Sequence, residues 1–307
     1  MGVDMFFALS GFLITTLLLE ENRKKMDISL KGFYIRIALR LFPALYITLF
    51  FVLIYSIWLV VDENRRVIFL EVISSSLYLN NISWKWGWGE EGLLLGHTWS
   101  LAAEEQFYLV WPLVLICSLR LRSLLVLGFG LISFILVILF LKLSGKLPIL
   151  AGSVFHESIF IGCLAALFRW LWKIHFNIPG YLTLICLLLI IIVGIFPVPG
   201  YQEFFRQGGR SVVALATVFV ILGLINHPSG FTIKILSSRI LVGIGKISYS
   251  LYLWHVPVFR WFKWHASLQP SVAFLMKFLV TFLLAWLSWI LVEKRAVKLG
   301  RRITKKG

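Results

Sequence analysis

Long uninterrupted apolar runs constrain this chain more than any other feature. Tyr181 to Val198 and Val272 to Val292 are almost wholly apolar, and each is about the 20 residues that a helix needs to cross bilayer hydrocarbon. A water-soluble core would alternate apolar and polar positions instead. Composition agrees, with 60% hydrophobic and 14% charged residues against roughly 45–50% and about 25% in a soluble globular domain. Membrane-spanning strands run about ten residues with alternating faces. Nothing here alternates, so in hydrocarbon the backbone must satisfy its own hydrogen bonds as helices. The expected fold class is all-α: a polytopic transmembrane helix bundle forming a single integral-membrane domain over residues 1–307.

Apolar periodicity predicts about nine spans, near 3–19, 41–61, 99–119, 123–143, 151–172, 181–198, 211–226, 247–264 and 272–292. A short apolar stretch at 66–80, ending in Asn80 and Asn81, reads as a tenth span or as a segment dipping into the surface. Basic residues decide between these, because Lys and Arg collect on the cytoplasmic side. With nine spans, one side gathers Arg23, Arg36, Arg40, Arg120, Lys173, Lys246 and the basic tail after Glu293, twice as many Lys and Arg residues as the other side. Making 66–80 a span would send that tail outside. The layout expects Met1 outside, the C-terminus in the cytoplasm and one further helix ahead of residue 1. The net charge of +16 would suggest a nucleic-acid partner in a soluble protein. Here the charges sit in connections between apolar runs, and no nucleic-acid partner is expected. Cys117, Cys163 and Cys186 lie inside predicted spans without metal-ligand spacing and read as packing residues. The N-terminus lacks the basic region and small-residue cleavage site of a signal peptide.

An ionisable group inside a span costs up to about 2.5–3.5 kcal/mol on insertion scales, so each is a functional candidate. Asp4 falls near the outer end of the first span, followed by Ser10 and Gly11, whose small size permits close helix packing; helix capping is its plainer role. Arg36 and Arg40 stand one helical turn apart at a membrane boundary, placed to grip phosphates or to serve as ordinary anchors. His97 precedes Trp99, Glu104 and Glu105 in a run that carries two adjacent carboxylates into a span. These project about 100° apart, so at least one faces the protein interior, where an Arg, a His or a water-filled cavity compensates it; a structural ion pair is the alternative. His255 sits in mid-span between aromatics and Pro257, as a packing residue or a catalytic one. His156 and Glu157 read as an interfacial pair. Trp84, Trp86 and Trp88 around Lys85 suit either stacking on sugar rings or an interfacial aromatic belt.

Six segments, GVDMFFALSGFLI, FYIRIALRLFPALY, HTWSLAAEEQFYLVWP, FIGCLAALF, ISYSLYLWHVPV and VEKRAVKLGRR, in this order and spacing resemble the acyltransferase-3 family of membrane O-acyltransferases. The resemblance covers nearly the whole chain. It implies transfer of an acyl group, commonly acetyl, from cytosolic acyl-CoA to a hydroxyl of an extracytoplasmic carbohydrate or cell-envelope glycan such as peptidoglycan or lipopolysaccharide. It also implies a multi-pass location in a bacterial inner membrane. On this reading Arg36 and Arg40 hold the phosphates of acyl-CoA, the donor substrate. The catalytic candidates are Asp4, His97, Glu104 and Glu105, with Trp99, Tyr249, His255 and Glu293 supporting the site; no bound cofactor or metal is expected. The family's domain has ten helices, the first carrying an arginine and a catalytic histidine ahead of the GVD motif, which fits the expectation of a helix before Met1. Two positions depart from the pattern: Ile37 replaces the second arginine of Arg-Arg-x-x-Arg, and Arg295 stands where a proline is usual. A transporter or flippase of polar lipid-linked substrates would also need buried charges, and a non-catalytic family member is a further alternative.

Overall fold

The computed structural model describes residues 1–59, 62–83, 92–146, 156–173, 178–195, 201–227, 230–265 and 269–305. Every regular element among them is helical. The longer helices are α1 (Gly2–Lys25), α2 (Leu30–Leu59), α3 (Asp62–Ser76), α4 (Trp99–Arg120), α5 (Leu124–Leu143), α6 (Glu157–Trp172), α7 (Gly180–Ile195), α8 (Arg210–Asn226), α9 (Phe231–Leu236), α10 (Arg239–His265), α11 (Pro270–Ser288) and α12 (Lys294–Lys305). A 3₁₀ turn, Gly96–Thr98, leads into α4, and a wide π turn, Trp289–Glu293, joins α11 to α12.

Six helical stretches among the described residues are long and apolar enough to cross a membrane: Gly2–Lys25, Leu30–Trp58, Gly96–Arg120, Leu124–Leu143, Gln207–Asn226 and Pro270–Thr304. Helix occupies the other three predicted runs as well, in α6 and α7 with 16 residues each and in α10 with 27. Three of the predicted boundaries shift. The run at 41–61 belongs to a helix that starts at Leu30, so the arginine motif and the span share one rod. The last run divides between α11 and the π turn that leads into α12. The stretch at 66–80 is the 15-residue α3, which at 1.5 Å per residue is about 22 Å long, short of the roughly 30 Å of hydrocarbon. Lipid rather than water is the solvent these helices expect. Leu125, Val126, Phe129, Leu136, Val137 and Phe140 of α5 all lie exposed, as do Phe274, Leu275, Phe278, Leu279, Phe282 and Leu283 of α11, apolar faces that a water-soluble monomer does not leave open. Cys163 is buried as expected, whereas Cys117 is exposed on α4.

The chain divides into two compact units, Met1–Ile28 with Gln106–Ser238 and Ser29–Glu105 with Arg239–Gly307. In the first, α1 packs along α6 and α8 around a core that includes Ala8, Phe12, Ile161, Ala214 and Val218. Glycine sets the closeness of that packing. A methyl group on Gly11 would collide with the Ile159 carbonyl, and one on Gly162 with the Ala8 carbonyl and the Phe12 nitrogen. Dispersion is the main attraction between helices in lipid, and small residues let the backbones approach. Trp111 Nε1 donates to Thr15 Oγ1 at 2.9 Å, and Ser10 and Tyr108 hydroxyls meet at 3.1 Å, tying α4 to α1. In the second unit α2 packs against α3, α10 and α12, around Ala44, Leu45, Leu49, Ile68, Leu95 and Leu253.

Replacing Gly162 by Ala is expected to destabilise by about 1–3 kcal/mol through overpacking, whereas Gly128→Ala, at a site with nothing within 4 Å, should leave stability unchanged or slightly raised. Thermal unfolding of the detergent-solubilised variants checks both; equal midpoints would remove the role assigned to Gly162.

Candidate active site

The second unit gathers most of the candidate residues. Helix α3 ends just before Tyr78, which takes a left-handed φ of 53°, and the chain turns to present Asn80. The Asn80 amide donates to the Leu95 carbonyl and to Thr98 Oγ1, both at 2.8 Å, while Ser75 and Thr98 hydroxyls meet at 2.8 Å. Glu71, one turn before the end of α3 and only 2% exposed, accepts the peptide N–H groups of Leu94 at 2.9 Å and Leu95 at 3.1 Å. Burial pushes the Glu71 carboxyl above the ordinary carboxylate range, and these N–H donors pull against that push. The result is a polar bracket around the turn that carries His97.

His97 lies over α10. Its carbonyl accepts the Tyr252 hydroxyl, and its ring centroid is 5.1 Å from that of Tyr252 and 5.0 Å from that of His255. Both ring nitrogens are buried and make no hydrogen bond of ordinary geometry. His255 Nδ1 lies 2.6 Å from the Tyr252 carbonyl. A carbonyl only accepts, so Nδ1 carries the proton, and in the neutral ring Nε2 then keeps the lone pair that a general base needs. Ser100 Oγ and the Tyr252 hydroxyl stand 2.6 Å apart, completing a patch of two imidazoles and two hydroxyls.

Further along α4, Glu104 is 2% exposed, and Glu105 has a buried Oε1 without a hydrogen-bond partner. The positive charge of Arg40 acts on both Glu105 and Glu293. Glu293, in the π turn, accepts hydrogen bonds from Ser250, a very short contact, and from Ser288 at 3.4 Å. Tyr249 donates to the Leu41 carbonyl at 2.9 Å, binding α10 to α2. Arg36 and Arg40 are exposed on α2, four residues apart, and Trp99 opens α4, half-buried. The Trp84–Trp88 stretch lies outside the described residues.

Asp4 belongs to the first unit, whereas His97, Glu104 and Glu105 belong to the second. Asp4 is 5% exposed and accepts from Ser158 Oγ at 3.4 Å. Beside it lie His156, 3% exposed, and Glu157, 1% exposed, so these two are buried, not the interfacial pair that the sequence suggested. Lys142 Nζ contacts Glu157 Oε1 at 2.5 Å, and Ser211 donates to the same oxygen at 3.1 Å. The His156 ring packs on Phe7 at 4.9 Å between centroids. Sequence reasoning missed Glu71 and Lys142. Each was visible as a charge in or beside an apolar run, but its partner lies 23 residues away for Glu71 and 15 for Lys142, a pairing that sequence does not show.

Helices that face lipid and hold carboxylates, imidazoles and a lysine in their interior define a polytopic membrane protein with polar sites between its helices, the class of membrane-embedded enzymes and transporters. Sequence comparison narrows the class. The chain belongs to the acyltransferase domain family, whose model matches residues 1–290. Over 97% of its length it is 32% identical to the peptidoglycan O-acetyltransferase OatA of Listeria monocytogenes, covering 51% of that protein. Over 98% it is 30% identical to the O-acetyltransferase OatA of Staphylococcus aureus, covering 53%. The chain therefore spans about half the length of the curated relatives it matches. No solved structure matches it significantly.

The buried Lys142–Glu157 pair predicts that Lys142→Ala, which strands the carboxylate, destabilises by roughly 3–5 kcal/mol. The double variant Lys142→Met with Glu157→Leu removes both charges and should recover most of that loss. Thermal midpoints of the three proteins test this, and a single variant as stable as the parent would sink it.

Proposed function

We propose that the chain is the membrane domain of an O-acyltransferase that moves an acyl group, most simply acetyl, from cytosolic acyl-CoA to a hydroxyl of a cell-envelope glycan outside the membrane. Family membership and the activities named for the relatives support the reaction class. The observation that carries the site is the His97–His255 pair beside the Tyr252 and Ser100 hydroxyls, with His255 Nε2 left as the basic nitrogen.

In this reading His255 Nε2 takes the proton of the sugar hydroxyl as its oxygen attacks the thioester carbonyl. The tetrahedral adduct collapses, the C–S bond breaks, and the thiolate of CoA leaves and recovers the proton. His97 closes the other side of the same patch. Arg36 and Arg40, one turn apart and exposed on α2, bind the CoA phosphates, with Arg40 also balancing Glu105 and Glu293. The bias of basic residues supports a C-terminus and α12 on the cytoplasmic side, where acyl-CoA is made, and the family supports a bacterial inner membrane as the location. Peptidoglycan is the acceptor that the Listeria relative's name suggests.

The test uses the full-length gene product in membrane vesicles with labelled acetyl-CoA and a purified glycan acceptor. Loss of a general base costs about 10²- to 10⁴-fold in rate, so His255→Ala should lower transfer within that range. A charge-assisted hydrogen bond contributes about 1.5–3 kcal/mol, so Arg36→Ala and Arg40→Ala should each raise the donor KM roughly ten- to hundredfold. Undiminished donor binding in the double arginine variant, together with lost movement of a lipid-linked sugar, would overturn the enzyme reading in favour of transport.

A further inference from the structure

Glu71 is a deeply buried carboxylate of the second unit that the proposed reaction leaves without a task. It lies on α3, a helix too short to span, yet it is 2% exposed, and one of its oxygens accepts both the Leu94 and Leu95 peptide N–H groups. Those two residues immediately precede the Gly96–Thr98 turn. The second oxygen, Oε1, has no hydrogen-bond partner and faces two glycines: a methyl group on Gly92 would lie 2.8 Å from it and would strike Gly96, and one on Gly96 would lie 4.0 Å from it. The loop is thus folded tightly around the carboxylate, with Gly92 where any side chain would force it off. Asn80 holds the same loop from its other side through Leu95 and Thr98.

Whatever fixes Leu94, Leu95 and Gly96 fixes the backbone of His97, whose carbonyl and ring both meet α10 at Tyr252 and His255. We propose that Glu71 is a positioning residue: by bracketing the peptide N–H groups of Leu94 and Leu95 it sets the placement of His97 against His255. The inference rests on the reading that this imidazole pair lies at the site of acyl transfer. Glu71 touches neither substrate, and it acts only through the turn. Loss of the bracket should therefore lower turnover without changing donor binding, because Arg36 and Arg40 stand on a different helix.

The experiment is a double-variant cycle on transfer from acetyl-CoA to glycan, with the full-length protein in vesicles. Glu71→Leu keeps the bulk and removes the acceptor. It should lower kcat by about 10²-fold, the scale of a small misplacement in an active site, with the donor KM unchanged. Glu71→Gln, which retains an acceptor oxygen for the two N–H groups, should recover most of the rate. Adding Glu71→Leu to His97→Ala should cost no further rate, since residues acting through one another are not additive. If Glu71→Leu does not reach the membrane, Glu71→Asp carries the same cycle, because it draws the carboxylate back by one methylene. A His97→Ala variant with full activity removes the reading of the site and this inference with it. With His97→Ala impaired, an additional independent loss when Glu71→Leu is added to it, or no loss from Glu71→Leu on its own, overturns the positioning role alone.

Discussion

Hydrocarbon offers no hydrogen bonds, and the rest of this structure follows from that. Each backbone polar group inside a span must be met by the same helix, so the regular elements among the described residues are all helices. For the same reason, apolar side chains do not drive these helices together as they would in water. Association depends instead on how closely backbones approach and on which polar groups meet. Gly11 and Gly162 meet the first need, each lying where a methyl group would strike the other helix's backbone. The Trp111–Thr15 and Ser10–Tyr108 contacts meet the second.

Polar groups follow the same rule with higher stakes, because an uncompensated charge in a low-dielectric interior is costly. The first unit answers with a lysine held against Glu157 and a hydroxyl from Ser211 on the same oxygen. The second answers Glu71 with peptide N–H groups and Glu293 with two serines. Glu105 differs, since its Oε1 is buried without a hydrogen-bond partner and it feels both the neighbouring Glu104 carboxylate and the positive charge of Arg40. The His97–His255 patch is also incompletely satisfied. Buried groups of this kind are those a substrate can complete, and for that reason the proposed chemistry is placed there.

Much of the architecture was legible because lipid writes it into composition. The runs at 99–119, 123–143 and 211–226 match α4, α5 and α8 within a residue or so, since a span ends where apolar residues end. The start of α2 was less legible: the arginine motif interrupts hydropathy without interrupting the helix, whose backbone is indifferent to the change from lipid to headgroup. Of the candidate residues, His97 and His255 come together in the structure although 158 positions separate them in the sequence. Asp4, a catalytic candidate together with His97, Glu104 and Glu105, belongs to the first unit, where it lies beside Ser158 and the His156–Glu157 pair.

By itself the sequence determined that this is an all-helical membrane protein, where its principal spans lie and, through six motifs in register, its family. These are properties of local composition and order, which a linear reading retains. Only the tertiary structure decided which buried charge answers which: that Lys142 meets Glu157, that Glu71 brackets the turn ahead of His97, and that His97 faces His255. Hydropathy records that a polar group is out of place in lipid. Its partner is chosen by helix packing, which brings together side chains far apart in the sequence at separations of a few ångströms.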